Sequence, residues 1–145
     1  MSRLTILLLT TLLLITGCTT SYTTYDYEYS IEDIQKAIAD NLPGGLGKVN
    51  SDRRVFYSQK FTVDKTKKKN NLVMRIVING ERRPYGLDIE TRTVDVTIKD
   101  AEEAFNFGDD FRGHLSLAKR VVSQIESQLV QRRKNKNIFD DFKAF

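Results

Sequence analysis

Apolar positions recur along this chain with two periods, and the change from one to the other marks its elements. Ile31, Ile34, Ile38 and Leu42 follow at steps of three and four, which predicts one helical stripe. Ser30 precedes them as an N-cap whose hydroxyl can accept from the amide of Asp33, and Glu32 and Asp33 suit the positive end of a helix. Pro43 and the two glycines after it end the helix. "RVFYSQKFTV" then alternates, with Val55, Tyr57, Phe61 and Val63 on one face and Gln59 interrupting. "NLVMRIVI" puts Leu72, Met74, Ile76 and Ile78 on one face and Val73, Arg75 and Val77 on the other. Tyr25, Tyr27 and Tyr29 also alternate and predict a strand over 23–29.

Asn79-Gly80 is the strongest turn signal, because both residues tolerate the positive φ of a type I′ turn. As a two-residue loop it sets Ile78 opposite Glu81, Met74 opposite Tyr85 and Leu72 opposite Leu87, with Pro84 opposite Arg75. Pro84 then requires an edge or a bulge at that point. Leu87 and Ile89 are odd-numbered, whereas Val94, Val96 and Ile98 are even. The phase change has two readings: a bulge within Glu90–Thr93, which is the simpler, or a long strand whose distal half meets a different surface.

Leu115, Ala118, Val122, Ile125 and Leu129, widened by Val121, form the stripe of a second helix, with Asp109 or Asp110 as its cap. Arg132, Arg133, Lys134 and Lys136 fall at or just past its negative end. The expected fold class is α+β: an antiparallel sheet of three or four strands with two helices packed on one face.

The first 17 residues follow a different pattern. Arg3 is their only charge, and Leu4–Ile15 is apolar apart from three threonines. That is the n-region and h-region of an export signal, too short for the roughly 20 apolar residues that span a bilayer. Ile15-Thr16-Gly17-Cys18 resembles the lipobox of bacterial lipoproteins: an aliphatic residue, two small residues, then the only cysteine of the chain. The resemblance covers residues 1–19 and implies cleavage before Cys18, acylation of its thiol, and a membrane-anchored domain. In a Gram-negative cell Thr19, which is not Asp, favours the outer membrane, facing the periplasm. The implied division is a signal peptide (1–17), a lipidated tether (18–22), one α+β domain (23–137) and an aromatic tail (138–145). The element order also resembles that of the lipopolysaccharide-assembly outer-membrane lipoproteins. The residues after Cys18, "TTSYTTY", do not match theirs, so the likeness concerns fold alone.

Composition narrows the rest. With one thiol, no intrachain disulfide can staple the fold, and stability must come from packing. The formal charge of +4, or +3 once Arg3 leaves with the signal, is too small to argue for nucleic acid. "GGLG" at 44–47 lacks the Lys-Ser/Thr of a phosphate loop. His114 is the only histidine; no nucleophile pairs with it in a recognisable motif and no metal-ligand set is present. The paired acids Glu102-Glu103 and Asp109-Asp110 read as loop residues. No cofactor, no metal and no catalytic residue is expected. Two features suit contact instead. Lys65, Lys67, Lys68 and Lys69 crowd one hairpin loop, either solvated or facing an anionic partner such as lipid headgroups. Phe139, Phe142 and Phe145 recur every three residues, either folding back or anchoring in a partner groove. The expected role is a non-catalytic binding or assembly subunit in the envelope, the alternative a carrier for a lipid or other amphiphile.

Overall fold

A computed structural model describes residues 20–23, 29–63, 71–94, 97, 101–107 and 115–143. The elements run β1 (Thr20–Thr23), α1 (Ile31–Asn41), β2 (Leu46–Val49), β3 (Val55–Ser58), β4 (Asn71–Asn79), β5 (Gly86–Val94), α2 (Ala101–Phe107) and α3 (Leu115–Lys143). All strand pairs are antiparallel, in the order β1-β5-β4-β3-β2. The α+β class is borne out, but the sheet has five strands rather than three or four.

The extra edge strand is β2. Gly44 and Gly45, with φ of 73° and 94°, turn the chain out of α1 and back along β3. Gly47 sits where the β2–β3 register shifts, and a Cβ there would lie 2.8 Å from the carbonyl oxygen of Ser58. Only glycine allows that approach. At the other edge, Thr20–Thr23 pairs with β5 instead of forming part of a tether. Of the strand expected over 23–29, residues 24–28 lie outside the described residues, and Tyr29 lies outside any strand, packed against the main core.

Helix α1 forms as its stripe requires. The Ser30 hydroxyl accepts from the Asp33 amide at 3.1 Å, and Leu42 takes extended φ/ψ before Pro43. Helix α3 buries Leu117, Ala118, Val121, Val122, Ile125 and Leu129. It is 29 residues long, so Arg132, Arg133, Lys134 and Lys136 lie well inside it and not at its end. They cannot complement its macrodipole, whose effect fades beyond the last turn. Arg132 and Lys136 instead meet Asp33 on α1.

The β4–β5 register corrects the two-residue turn. Ile78 faces Leu87, Ile76 faces Ile89, Arg75 faces Glu90 and Asn79 faces Gly86, with Gly80–Tyr85 forming the loop between the strands. The tight turn would have carried Ile89–Val94 past the start of β4. The observed register pairs all nine residues of each strand and removes Pro84 from the ladder, where it has no N–H to give. Gly80 still supplies a positive φ, 96°. The slip from the expected register is six residues, an even number, so every side chain keeps its face.

No bulge interrupts β5. Its register is unbroken from Gly86 to Val94, and Val94 packs with Val73, Tyr57, Ala101 and Phe105. The long-strand reading is therefore the correct one for Val94; Val96 and Ile98 lie outside the described residues. The irregularity falls in the chain after β3. Val55–Tyr57 pair in one register with β4, and Phe61 then bridges Leu72 in a register one residue different. The Ser58 hydroxyl fills the gap by accepting from the Met74 amide at 2.8 Å. Phe61 consequently packs against the core beside Phe56, on the opposite face from Val55 and Tyr57.

Two layers cover the sheet. Helices α1 and α3 lie over Phe56, Met74, Ile76, Ile78, Leu87 and Ile89. The other face, expected to be free of helices, is covered by the short α2 through Ala101 and Phe105. Ile125 is fully buried and Gln124 is exposed. Ile125→Ala should cost about 2–5 kcal/mol and Gln124→Ala less than about 0.5 kcal/mol, read from urea denaturation midpoints. Equal small losses would contradict the assigned face of α3.

Candidate functional site

Register places two arginines and one carboxylate together beneath α2. Glu90 is 5% exposed, and its carboxylate accepts from the Arg75 guanidinium across the strand pair and from Nε of Arg92 at 2.8 Å. The two guanidiniums also lie over the Phe105 ring, 4.9 and 5.0 Å from its centroid, and Arg92 donates to the Phe105 carbonyl at 3.0 Å. The Tyr57 ring tilts against Phe105 at 5.8 Å. One carboxylate and one negative ring face thus serve two cations in a largely dry layer. The Lys48–Glu102 ion pair joins α2 to the edge strand β2. Glu102 and Glu103 lie in the first turn of α2, not in a loop. This cluster has cations and a carboxylate but no nucleophile, and its contacts are turned inward. What it does is fasten α2 to the sheet.

A second polar seam runs between α1 and α3, which are antiparallel. Gln128 meets Asp40 and Asn41, Arg132 meets Asp33 and Asp40, and Lys136 meets Asp33 at 2.6 Å. Burial pushes the Asp33 carboxyl up, but the hydrogen bonds from Lys136 and Ser30, with the Lys136 and Arg132 charges, hold it on balance below its ordinary value. Beside the seam an open cleft of about 470 Å³ is lined by Asn41, Ser123, Gln124, Ser127, Gln128 and Gln131. Its amides and hydroxyls can hydrogen-bond neutral polar groups, and it offers no charge to hold an ion.

Of the residues singled out by sequence, Cys18, Lys65, Lys67, Lys68, Lys69 and Phe145 lie outside the described residues, as do Asp109, Asp110 and His114. Phe139 and Phe142 lie on the last turns of α3. Among the described residues no group of His, Cys, Asp and Glu could hold a metal, and no helix is long and apolar enough to cross a membrane. The Arg75–Glu90–Arg92 cluster was missed because the register that juxtaposes Arg75 and Glu90 was misassigned. A scan against protein-family models and a search of curated proteins find no match for this chain.

Glu90→Gln leaves two guanidiniums facing a neutral amide and should cost about 2 kcal/mol in urea unfolding, less than for a fully buried pair because Arg75 is partly solvated. Replacing all three charges together, Arg75→Met/Glu90→Leu/Arg92→Met, should recover most of that loss. A neutral Glu90→Gln would mean that the cluster contributes nothing.

Because the folded Asp33 carboxyl titrates below its unfolded value, its contribution is complete above the unfolded pKa and is lost as pH falls through the folded one. Asp33→Asn should therefore cost about 1–2 kcal/mol at pH 7. The gap between wild type and variant should begin to close below about pH 4. A gap independent of pH would show that the charge is not the source.

Proposed function

We propose that this chain is an envelope lipoprotein, acylated at Cys18, that acts by binding as an accessory or assembly subunit of a membrane complex and not by catalysis. The observation that carries the reading is the export signal ending in Ile15-Thr16-Gly17-Cys18. The fold supports it in one respect. Strand β1 starts at Thr20, and two residues of chain reach at most about 7 Å, so an acyl anchor on Cys18 would hold the sheet edge close to the bilayer. Two or three acyl chains suffice for stable anchoring without a spanning helix. The proposed location is the outer membrane, on its periplasmic side.

The lysine segment rejoins the sheet at Asn71, opposite Val94. Strand β1 runs from Thr20 beside Ile89 to Thr23 beside Gly86, so the chain from Cys18 approaches from the Val94 side. Lys65, Lys67, Lys68 and Lys69 are thus proposed to meet anionic headgroups on the anchored side, worth up to about 1 kcal/mol each at low salt. Phe139, Phe142 and Phe145 are the proposed anchor for a protein partner. Ile34, Ile38, Met74, Ile76, Ile125 and Leu129, none more than 1% exposed, fill the layer between sheet and helices, which favours surface contact over an amphiphile carried inside.

The test is metabolic labelling with a palmitate analogue and mass analysis of the N-terminal peptide. Wild type should be cleaved before Cys18 and acylated. Cys18→Ala should remain unprocessed and unlabelled, and a normally labelled Cys18→Ala chain would end the anchor reading.

A further inference from the structure

Two loops, each carrying a pair of arginines far from the other pair in sequence, meet at one end of the sheet. Arg53-Arg54 lies in the turn between β2 and β3, and Arg82-Arg83 in the loop between β4 and β5. The loops touch. Arg54 donates to the Gly80 carbonyl at 2.6 Å, its own carbonyl accepts from Ile78 at 2.8 Å, and its guanidinium lies 5.9 Å from the Tyr85 ring centroid. Arg54 is therefore occupied in joining the loops. Arg53 and Arg82 are exposed, and among the described residues neither makes an ion pair.

Arg53 stands at φ 57°, a left-handed conformation that asparagine or glycine adopts at less cost. The turn holds it there firmly. Its amide donates to the Asn50 carbonyl at 3.0 Å, its carbonyl accepts from the buried Gln35 side chain at 3.0 Å, and Asn50 Oδ1 accepts from the next two amides. An unfavourable backbone carrying a solvated cation, where a cheaper residue would serve the fold, points to a task for the side chain.

We propose that these two loops form a docking surface for an acidic segment of a partner protein, gripped chiefly by Arg53 and Arg82. Guanidinium forks match carboxylates in bidentate geometry, which a lysine cannot copy. The loops also carry Asp52 and Glu81, and the amide of Arg54 is bound to the Asp52 carboxylate at 3.0 Å. A mixed pattern of this kind suits a patterned protein surface better than a uniformly anionic bilayer. Asn71 and Asn79 end β4 about 27 Å apart, so the arginine loops lie at the opposite end of that strand from Asn71, where the lysine segment joins, and beyond the Thr23 end of β1 rather than its Thr20 end. The choice of a protein over a membrane rests on the anchor reading of Cys18, whereas the cationic surface does not.

The experiment uses the full processed chain in neutral detergent micelles and a fluorescent decaglutamate peptide, with binding read by anisotropy. Wild type should bind the peptide with an affinity that falls as salt rises, because the contacts are at the surface. Arg53→Asn and Arg82→Ser should each weaken binding roughly tenfold. Arg53→Asn should melt no lower than wild type, since asparagine relieves the left-handed position, and Arg82→Ser changes a residue with no fixed backbone role. Micelles doped with phosphatidylglycerol should not displace the peptide. Absent peptide binding, binding unchanged in both variants, or displacement by the doped micelles would each overturn the proposal. Acyl labelling of Cys18 is scored separately, so failure of the anchor and failure of the surface are distinguishable.

Discussion

Nine residues of β4 lie opposite nine of β5, and that ladder decides what every other element can do. Its even-numbered β4 positions and odd-numbered β5 positions present Met74, Ile76, Ile78, Leu87 and Ile89 to the helix pair. The alternate positions present Val73, Arg75, Glu90, Arg92 and Val94 to α2. Had the pairing slipped by one residue, charged side chains would lie beneath α1 and α3, and burying unpaired charge costs more than this domain could absorb. The ladder also sets Arg75 against Glu90, so an ion pair and a ring contact hold α2 where apolar burial alone would be small.

Periodicity was legible wherever a single face was buried. Ile34 and Ile38 on α1, Val121, Val122, Ile125 and Leu129 on α3, and the two faces of β4 follow directly from spacing. What spacing could not reveal was long-range. The Asn79-Gly80 turn and the six-residue loop satisfy the same alternation, because they differ by an even number. Only the count of paired residues separates them, and that is a property of both strands together. The phase change in β5 was visible, but its cause was a second layer on the far face, formed by a helix of seven residues too short to have a stripe. Leu46–Val49 was missed for a related reason: three of its four residues are exposed, so no alternation marks it.

The site was less legible than the fold. Cys18 stands out because the tetrapeptide that resembles a lipobox is local, whereas the loops of Arg53 and Arg82 are separated in sequence by β3 and β4 and are joined through the contacts of Arg54. Under the anchor reading the molecule is polarised. The lysine segment joins β4 at Asn71, and the arginine loops lie beyond its other end, at Asn79.

The closeness of β1 to Cys18 has a mechanical consequence. Strand β1 is a terminal edge strand of four residues, the kind of element that frays first. An acyl group two residues upstream would make it the link through which any pull between membrane and partner passes. Thr20 is paired with Ile89 and Thr23 with Gly86, so a load drawn along the strand axis shears the β1–β5 hydrogen bonds together and does not peel them one at a time. Collective loading resists force far better than sequential opening does. A short edge strand is thereby oriented so that tension acts in its strongest direction.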